Sequence, residues 1–145
     1  KFKEPDTMTE QETFSFDLIS PERMVVSARA RAATIPGEVG EFGVLPGHMP
    51  LLSALRPGVL SVELEGEAAP RRMFVAGGFA DVTPGRCVVL AEESIPVETL
   101  DLAVIEKALR TLEDDRTHAR DDMERRRIES QIAIETARAQ AAGRS

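Results

Sequence analysis

Two hydrophobic patterns divide this chain. Along the first two thirds, short apolar runs alternate with turn signals at intervals of about ten residues, the pattern of an antiparallel sandwich or barrel. Phe14, Phe16 and Leu18 alternate with Ser15 and Asp17, which buries one face of a strand. Ser20-Pro21-Glu22-Arg23 then turns the chain into Met24-Val25-Val26. Further strands are predicted at Leu51 to Leu55, Val59 to Leu64, Arg72 to Ala76, Phe79 to Val82 and Arg86 to Ala91. They are closed in turn by Glu65-Gly66-Glu67, Gly77-Gly78 and Thr83-Pro84-Gly85-Arg86. In the last of these turns, proline presets its own dihedral and glycine accepts positive φ.

After Val97 the chemistry changes. All nine prolines fall at or before Pro96, and nine of the ten glycines at or before Gly85. From Thr99 onward Ala, Leu, Glu and Arg dominate, which predicts helix. Leu102, Ile105, Leu109 and Leu112 recur at spacings of three and four, and Ala119 and Met123 extend that stripe past Arg116. A second stripe runs through Ile128, Ile132 and Ala139. One long helix and a helix-turn-helix hairpin both satisfy this pattern, with the turn, if there is one, at Thr117 to Asp122. Residues 101 to 145 hold ten acidic and nine basic side chains, an interleaving that suits a solvated helix able to dock and undock.

Charge and composition narrow the function. A net charge of -7 and a pI near 4.9 argue against a nucleic-acid partner, which requires a concentrated basic surface. Cys87 is the single cysteine, so no intrachain disulfide or multi-cysteine metal site can form and a reducing, intracellular compartment is expected. It sits in an apolar run and reads as a buried small hydrophobe. No apolar stretch reaches the roughly 18 residues of a membrane span, so membrane association is expected only through a partner. Lys1 to Thr7 precede Met8 and are treated as an extension. With two histidines, one cysteine and no nucleophile elbow, an active site of the chain's own has little material. Glu92-Glu93 and Asp114-Asp115 are adjacent pairs, which point in different directions and do not converge on a substrate.

The most distinctive stretch runs from Gly37 to Pro50, GEVGEFGVLPGHMP, followed by Leu51-Leu52 and Arg56-Pro57-Gly58. Its glycines are too dense for a plain strand and imply tight turns. The Lys-Ser/Thr pair of a phosphate-binding loop is missing. A hairpin-rich loop presenting Phe42, Leu45 and His48 at one end of the sandwich is the better account. This stretch resembles the signature loop of the epsilon subunits of bacterial ATP synthases, and Val75-Ala76-Gly77-Gly78-Phe79 and Val88-Val89-Leu90-Ala91-Glu92 match in order and spacing.

The resemblance implies an N-terminal antiparallel β-sandwich followed by a C-terminal two-helix α hairpin, an α+β chain by segment. The expected divisions are an extension at 1–12, a sandwich at 13–97 and helices at 98–145. It implies a non-catalytic rotor subunit that binds the gamma subunit and the c-ring and transiently reaches the alpha and beta catalytic subunits. Such a subunit would sit peripherally at the cytoplasmic face of a bacterial inner membrane, without a cofactor or metal of its own. Glu41, Phe42, Leu45 and His48 would face the rotor partners, with Glu41 at the acidic position matched to the ring. Arg125, Arg126 and Arg127 would supply inhibitory contacts with the catalytic head. The alternative is an ATP-responsive regulator of the same complex. In the family's apolar-Asp-x-x-Arg-Ala motif, Leu100 and Asp101 match, but Val104 and Ile105 replace the arginine and alanine, and Asp101 reads as a helix N-cap.

Overall fold

Alternation in the first strand sets the interior: Phe14, Phe16 and Leu18 are at most 1% exposed, each contributing about 1.5–3 kcal/mol by leaving water. The computed structural model describes residues 12–144; residues 1–11, and with them most of the expected extension, lie outside the described residues. The strands are β1 (Phe14–Ile19), β2 (Met24–Gly37), β3 (Gly40–Val44), β4 (Leu51–Ala54), β5 (Gly58–Leu64), β6 (Arg71–Thr83) and β7 (Arg86–Pro96). A 3-10 turn (Val97–Thr99) leads to α1 (Leu102–Thr117) and α2 (Asp122–Arg144). The chain divides into two compact units, one ending at Ser94 and one beginning at Ile95.

In the first unit, hydrogen bonding runs β1-β7-β6-β5-β2 and returns to β1 through the β1–β2 pairing. These strands close on themselves, and β3 and β4 are added beside β2 and β6. Most pairs are antiparallel, as expected; β1 and β7 pair in parallel, Ser15 opposite Arg86 through Ile19 opposite Leu90. Two long strands serve several partners by bending. β2 pairs with β1 up to Ala30, shifts register before Ala32, and then pairs with β5 and β3. β6 pairs with β5 through Val75 and with β4 from Phe79. Between those segments stand Gly77 and Gly78 at φ 75° and 101°, a region that favours glycine. The sequence pattern predicts two strands separated here, whereas the glycines bend one continuous strand.

Two other expectations change. β2 extends far beyond Val26: in its Ala-Arg-Ala-Arg-Ala stretch Ala30 is buried while Ala28 is exposed and Ala32 half-buried, and small side chains between exposed arginines carry little hydrophobic signal. β3 lies inside the glycine-rich stretch expected to be loop, paired with the end of β2 from Gly37 opposite Gly40 to Ala33 opposite Val44. The Ser20–Arg23 turn forms as expected, with reciprocal backbone bonds of 2.9 and 3.2 Å.

Cys87 is fully buried in the sandwich core. Burial, reinforced by Asp81 and Asp17, pushes its thiol from the usual 9.0 up to about 12. The unfolded chain releases this proton above pH 9 while the folded chain holds it, so this contribution to stability is intact below pH 9 and is lost as pH rises toward 12. At pH 8 the native chain is expected to resist a neutral maleimide until it unfolds; a labelling rate equal to that of an exposed cysteine contradicts this burial.

In the second unit the helices form a hairpin, α1 packed against α2. Asp101 caps α1, its Oδ1 accepting from the N–H of Ala103 and Val104 at 3.0 and 3.3 Å. The break falls at residues 118–121, within the polar stretch where a turn was expected. That break ends the first stripe: Ala119 lies in the turn, and Met123 is 78% exposed. Ile105 and Ile128 are buried and Leu109, Leu112 and Ile132 half-buried.

Candidate partner-binding site

Strand β3 aims its side chains alternately, Phe42 and Val44 inward and Glu41 outward. Phe42 packs against the sandwich core, with its ring lying where a side chain at position 37 would stand. After Val44 the chain makes a tight turn: the His48 N–H donates to Leu45 O at 3.0 Å, Pro46 precedes Gly47, and Gly47 has φ 87°. Proline followed by glycine at positive φ is the requirement of a type II turn. The Gly47 N–H donates to Pro84 O at 2.8 Å, fastening this turn to the β6–β7 turn. His48 points its ring toward Phe42, centroids 6.4 Å apart, and its Nδ1 lies 2.6 Å from Met49 O, so Nδ1–H donates.

The four expected residues therefore divide by role. Phe42 and His48 are half-buried and brace the turn from within. Glu41 is exposed and makes no ion pair among the described residues, and Leu45 is 61% exposed. Four residues of extended chain place Glu41 and Leu45 about 13 Å apart, so the acidic and apolar groups do not converge.

The apolar surface is wider than the signature loop. Met49 and Leu52 are 77% and 67% exposed, and Phe79 and Leu90 are partly exposed. Leu52 stands opposite Asp81 and Ala54 opposite Phe79, all four outward, which carries the outer face from β4 to β6. Ile19, Pro21, Phe79 and Leu90 help line a shallow groove of about 460 Å³ beside it. One signal for this surface stood in the sequence: adjacent Leu51 and Leu52 on a strand must point to opposite sides.

Arg125, Arg126 and Arg127 do not form one patch, because successive helix residues are rotated by about 100°. Arg125 pairs with Asp122 at 2.9 Å, while Arg127 helps line a concavity with Asp115, His118 and Glu124. The Arg120 N–H donating to Glu124 at 2.8 Å holds that carboxyl below its usual range, against an opposing effect of burial. Among the described residues no three His, Cys, Asp or Glu side chains gather as metal ligands. No helix there is long and apolar enough to cross a membrane.

The chain is thus a closed sandwich with a braced turn and an exposed apolar face, followed by a separately capped helical hairpin. Residues 13–97 match the family model described as ATP synthase, Delta/Epsilon chain, beta-sandwich domain. The chain is 42% identical over 127 residues to the ATP synthase epsilon chain of Rhodospirillum centenum, covering 85% of this chain and 87% of that one. It is 44% identical over 115 residues to that of Parvibaculum lavamentivorans, covering 79% and 86%. It superposes with a TM-score of 0.77 and 29% identity on a chain of the Euglena gracilis mitochondrial ATP synthase OSCP/F1/c-ring structure, covering 92% of this chain and 82% of that chain. The chain belongs to the ATP synthase epsilon chain family.

Proposed function

We propose that this chain is a central-stalk subunit of a rotary, F-type ATP synthase, coupling the gamma subunit to the c-ring during proton-driven ATP synthesis. The observation that carries the reading is the braced turn: exposed Leu45 and Met49 sit on a loop tied to the β6–β7 turn and backed by Phe42 and His48. Transmitting torque requires a surface that does not yield. Closed strands supply stiffness, and a few apolar anchors with complementary charge supply hold. Outward Glu41 suits the polar loops of the ring, and the apolar turn with its neighbouring face suits gamma. The chain would lie peripherally on the cytoplasmic face of a bacterial inner membrane, and no catalytic group is assigned to it. The sandwich at 13–97 is the stalk anchor and the segment at 98–145 the regulatory arm, with Arg125, Arg126 and Arg127 meeting acidic segments of the catalytic alpha and beta subunits.

The ATP-sensor alternative gains no support from the hairpin. The Asp101 carboxylate is occupied in capping α1, and Ile105, where the family motif has alanine, is 5% exposed.

The test compares the full chain with one truncated after Val97, measuring binding to gamma and to the reconstituted catalytic head while recording ATP hydrolysis. Both versions are expected to bind gamma, and only the full chain to slow hydrolysis. If neither binds gamma, the stalk reading is wrong; equal hydrolysis with both removes the inhibitory arm.

A further inference from the structure

Strand register lines up an apolar row across the outer face of the sandwich. Ala54 stands opposite Phe79, Ile19 opposite Leu90, and Ile19 also opposite Met24, while the β6–β7 hairpin brings Phe79 and Leu90 into one groove. The row therefore crosses β4, β6, β7, β1 and β2 in that order. Phe79, Leu90 and Met24 are 41%, 37% and 51% exposed, and large apolar side chains this open on a shared face mark a contact surface.

Carboxylates border the row on both sides. Along β6, Asp81 lies two residues beyond Phe79. Along β7, which runs the opposite way, Glu92 lies two residues beyond Leu90 and so on the other side of the row. Each stands about 7 Å from it along its strand. Both are exposed, and among the described residues neither makes an ion pair. Asp17, on the Asp81 side, differs: it is buried, accepts from Ser27 Oγ at 2.7 Å and faces Arg86 at 3.6 Å, so its charge is already answered. Glu92 lies against the bare backbone of Gly77, where any Cβ would meet its carboxylate. The wider unit has the same sign, with fifteen acidic and nine basic side chains in residues 1–100.

We infer that this row receives an amphipathic helix of the gamma subunit, laid across the strands with its apolar face on the sheet and with Lys or Arg on both flanks to meet Asp81 and Glu92. Five strands about 4.8 Å apart make a row about 19 Å long, the span of about 13 helical residues, and about 14 Å between the acidic borders admits a helix about 10–12 Å across. The face of a sheet offers no free backbone groups to an extended segment, whereas a helix satisfies its own. Borders of one sign on both sides fix the roll of the helix, because turning it about its axis takes a flanking cation away from one carboxylate. This occupant follows only if the chain is the stalk subunit that binds gamma; the helix and the two orienting carboxylates are additional to that reading.

The experiment titrates the full chain into a catalytic head carrying gamma, at about 0.05 and about 0.5 M sodium chloride. Asp81→Asn combined with Glu92→Gln is expected to lower affinity roughly three- to tenfold at the lower salt and to match the parent at the higher, where exposed pairs are screened. Phe79→Ala is expected to lower it roughly tenfold or more at both. Glu63→Gln, which changes an exposed carboxylate on β5 away from the row, is expected to leave it unchanged. A benzophenone carried on Ala54→Cys or on Met24→Cys, at the two ends of the row with buried Cys87 silent beside them, is expected to capture gamma residues about 11–15 positions apart in one helix. If the parent binds while the carboxamide variant equals it at low salt, or if the two probes capture separate segments of gamma, the helix and its orienting carboxylates are wrong and the stalk reading stands. If the parent does not bind at all, the stalk reading falls and the docked helix with it.

Discussion

Replacing Gly78 with alanine is expected to destabilise the sandwich by about 3 kcal/mol or more, combining backbone strain with overpacking. At φ 101°, a Cβ on residue 78 would stand 1.7 Å from the Leu90 carbonyl oxygen and 2.8 Å from its carbon. Both obstacles are β7 backbone, held by the sheet and unable to swing aside. A domain of this size has about 5–15 kcal/mol in total, so a substantial part of its stability is at stake. Gly77→Ala provides the comparison. There the nearest atoms belong to the Glu92 side chain, which can rotate away, and strain at φ 75° is left as a cost of about 1–3 kcal/mol. The chain has no tryptophan or tyrosine, so the measurement is urea unfolding followed by circular dichroism. Equal midpoints for Gly78→Ala and the parent chain contradict the close crossing of β6 and β7.

The second large effect concerns binding. A chain carrying both Leu45→Asp and Met49→Asp is expected to fold with an unchanged thermal midpoint, because these side chains are 61% and 77% exposed. Its affinity for gamma is expected to fall by roughly 30- to 1000-fold, the range for anchors at the centre of an interface. Phe42→Ala behaves differently, losing stability as well as affinity, because that ring braces the turn and packs on the core. Unchanged affinity in the aspartate double variant, measured by titration calorimetry, removes the turn from the partner surface.

What could be read from the residues alone follows their physics. Phe14, Phe16 and Leu18 announced a strand because large side chains alternate with polar ones, and the Thr83–Arg86 turn was visible because proline and glycine act locally. The composition break near Val97 marked the change from strands to helices for the same reason. β2 beyond Val26 was not legible, since small alanines interleaved with arginines leave a weak signal whichever way they face. β3 was hidden by glycines whose turns lie on either side of it. Gly77-Gly78 read as the end of a strand because a sequence does not distinguish a bend from a stop. In the site, Glu41 and Leu45 were found as exposed groups, and Phe42 and His48 as neighbours in sequence whose bracing role exists only once β3 and the following turn are folded. Phe79 and Leu90 escaped because they join Leu52 through pairings between distant strands. Arg125, Arg126 and Arg127 are adjacent in sequence and fan around a helix in three dimensions, a direction that sequence order does not display.

The parallel pairing of β1 with β7 has a consequence for how the chain is made. The first strand synthesised is completed on that side by the last strand of its unit, some seventy residues later along the chain. Contacts so distant in sequence form slowly. On the ribosome, Phe14 and Phe16 must wait unsheltered until Cys87 and Val89 have been added, whereas the helices that follow form from local bonds as they emerge. The nascent chain is thus most exposed to misassociation during synthesis of its middle, and chaperone contact is expected to concentrate there.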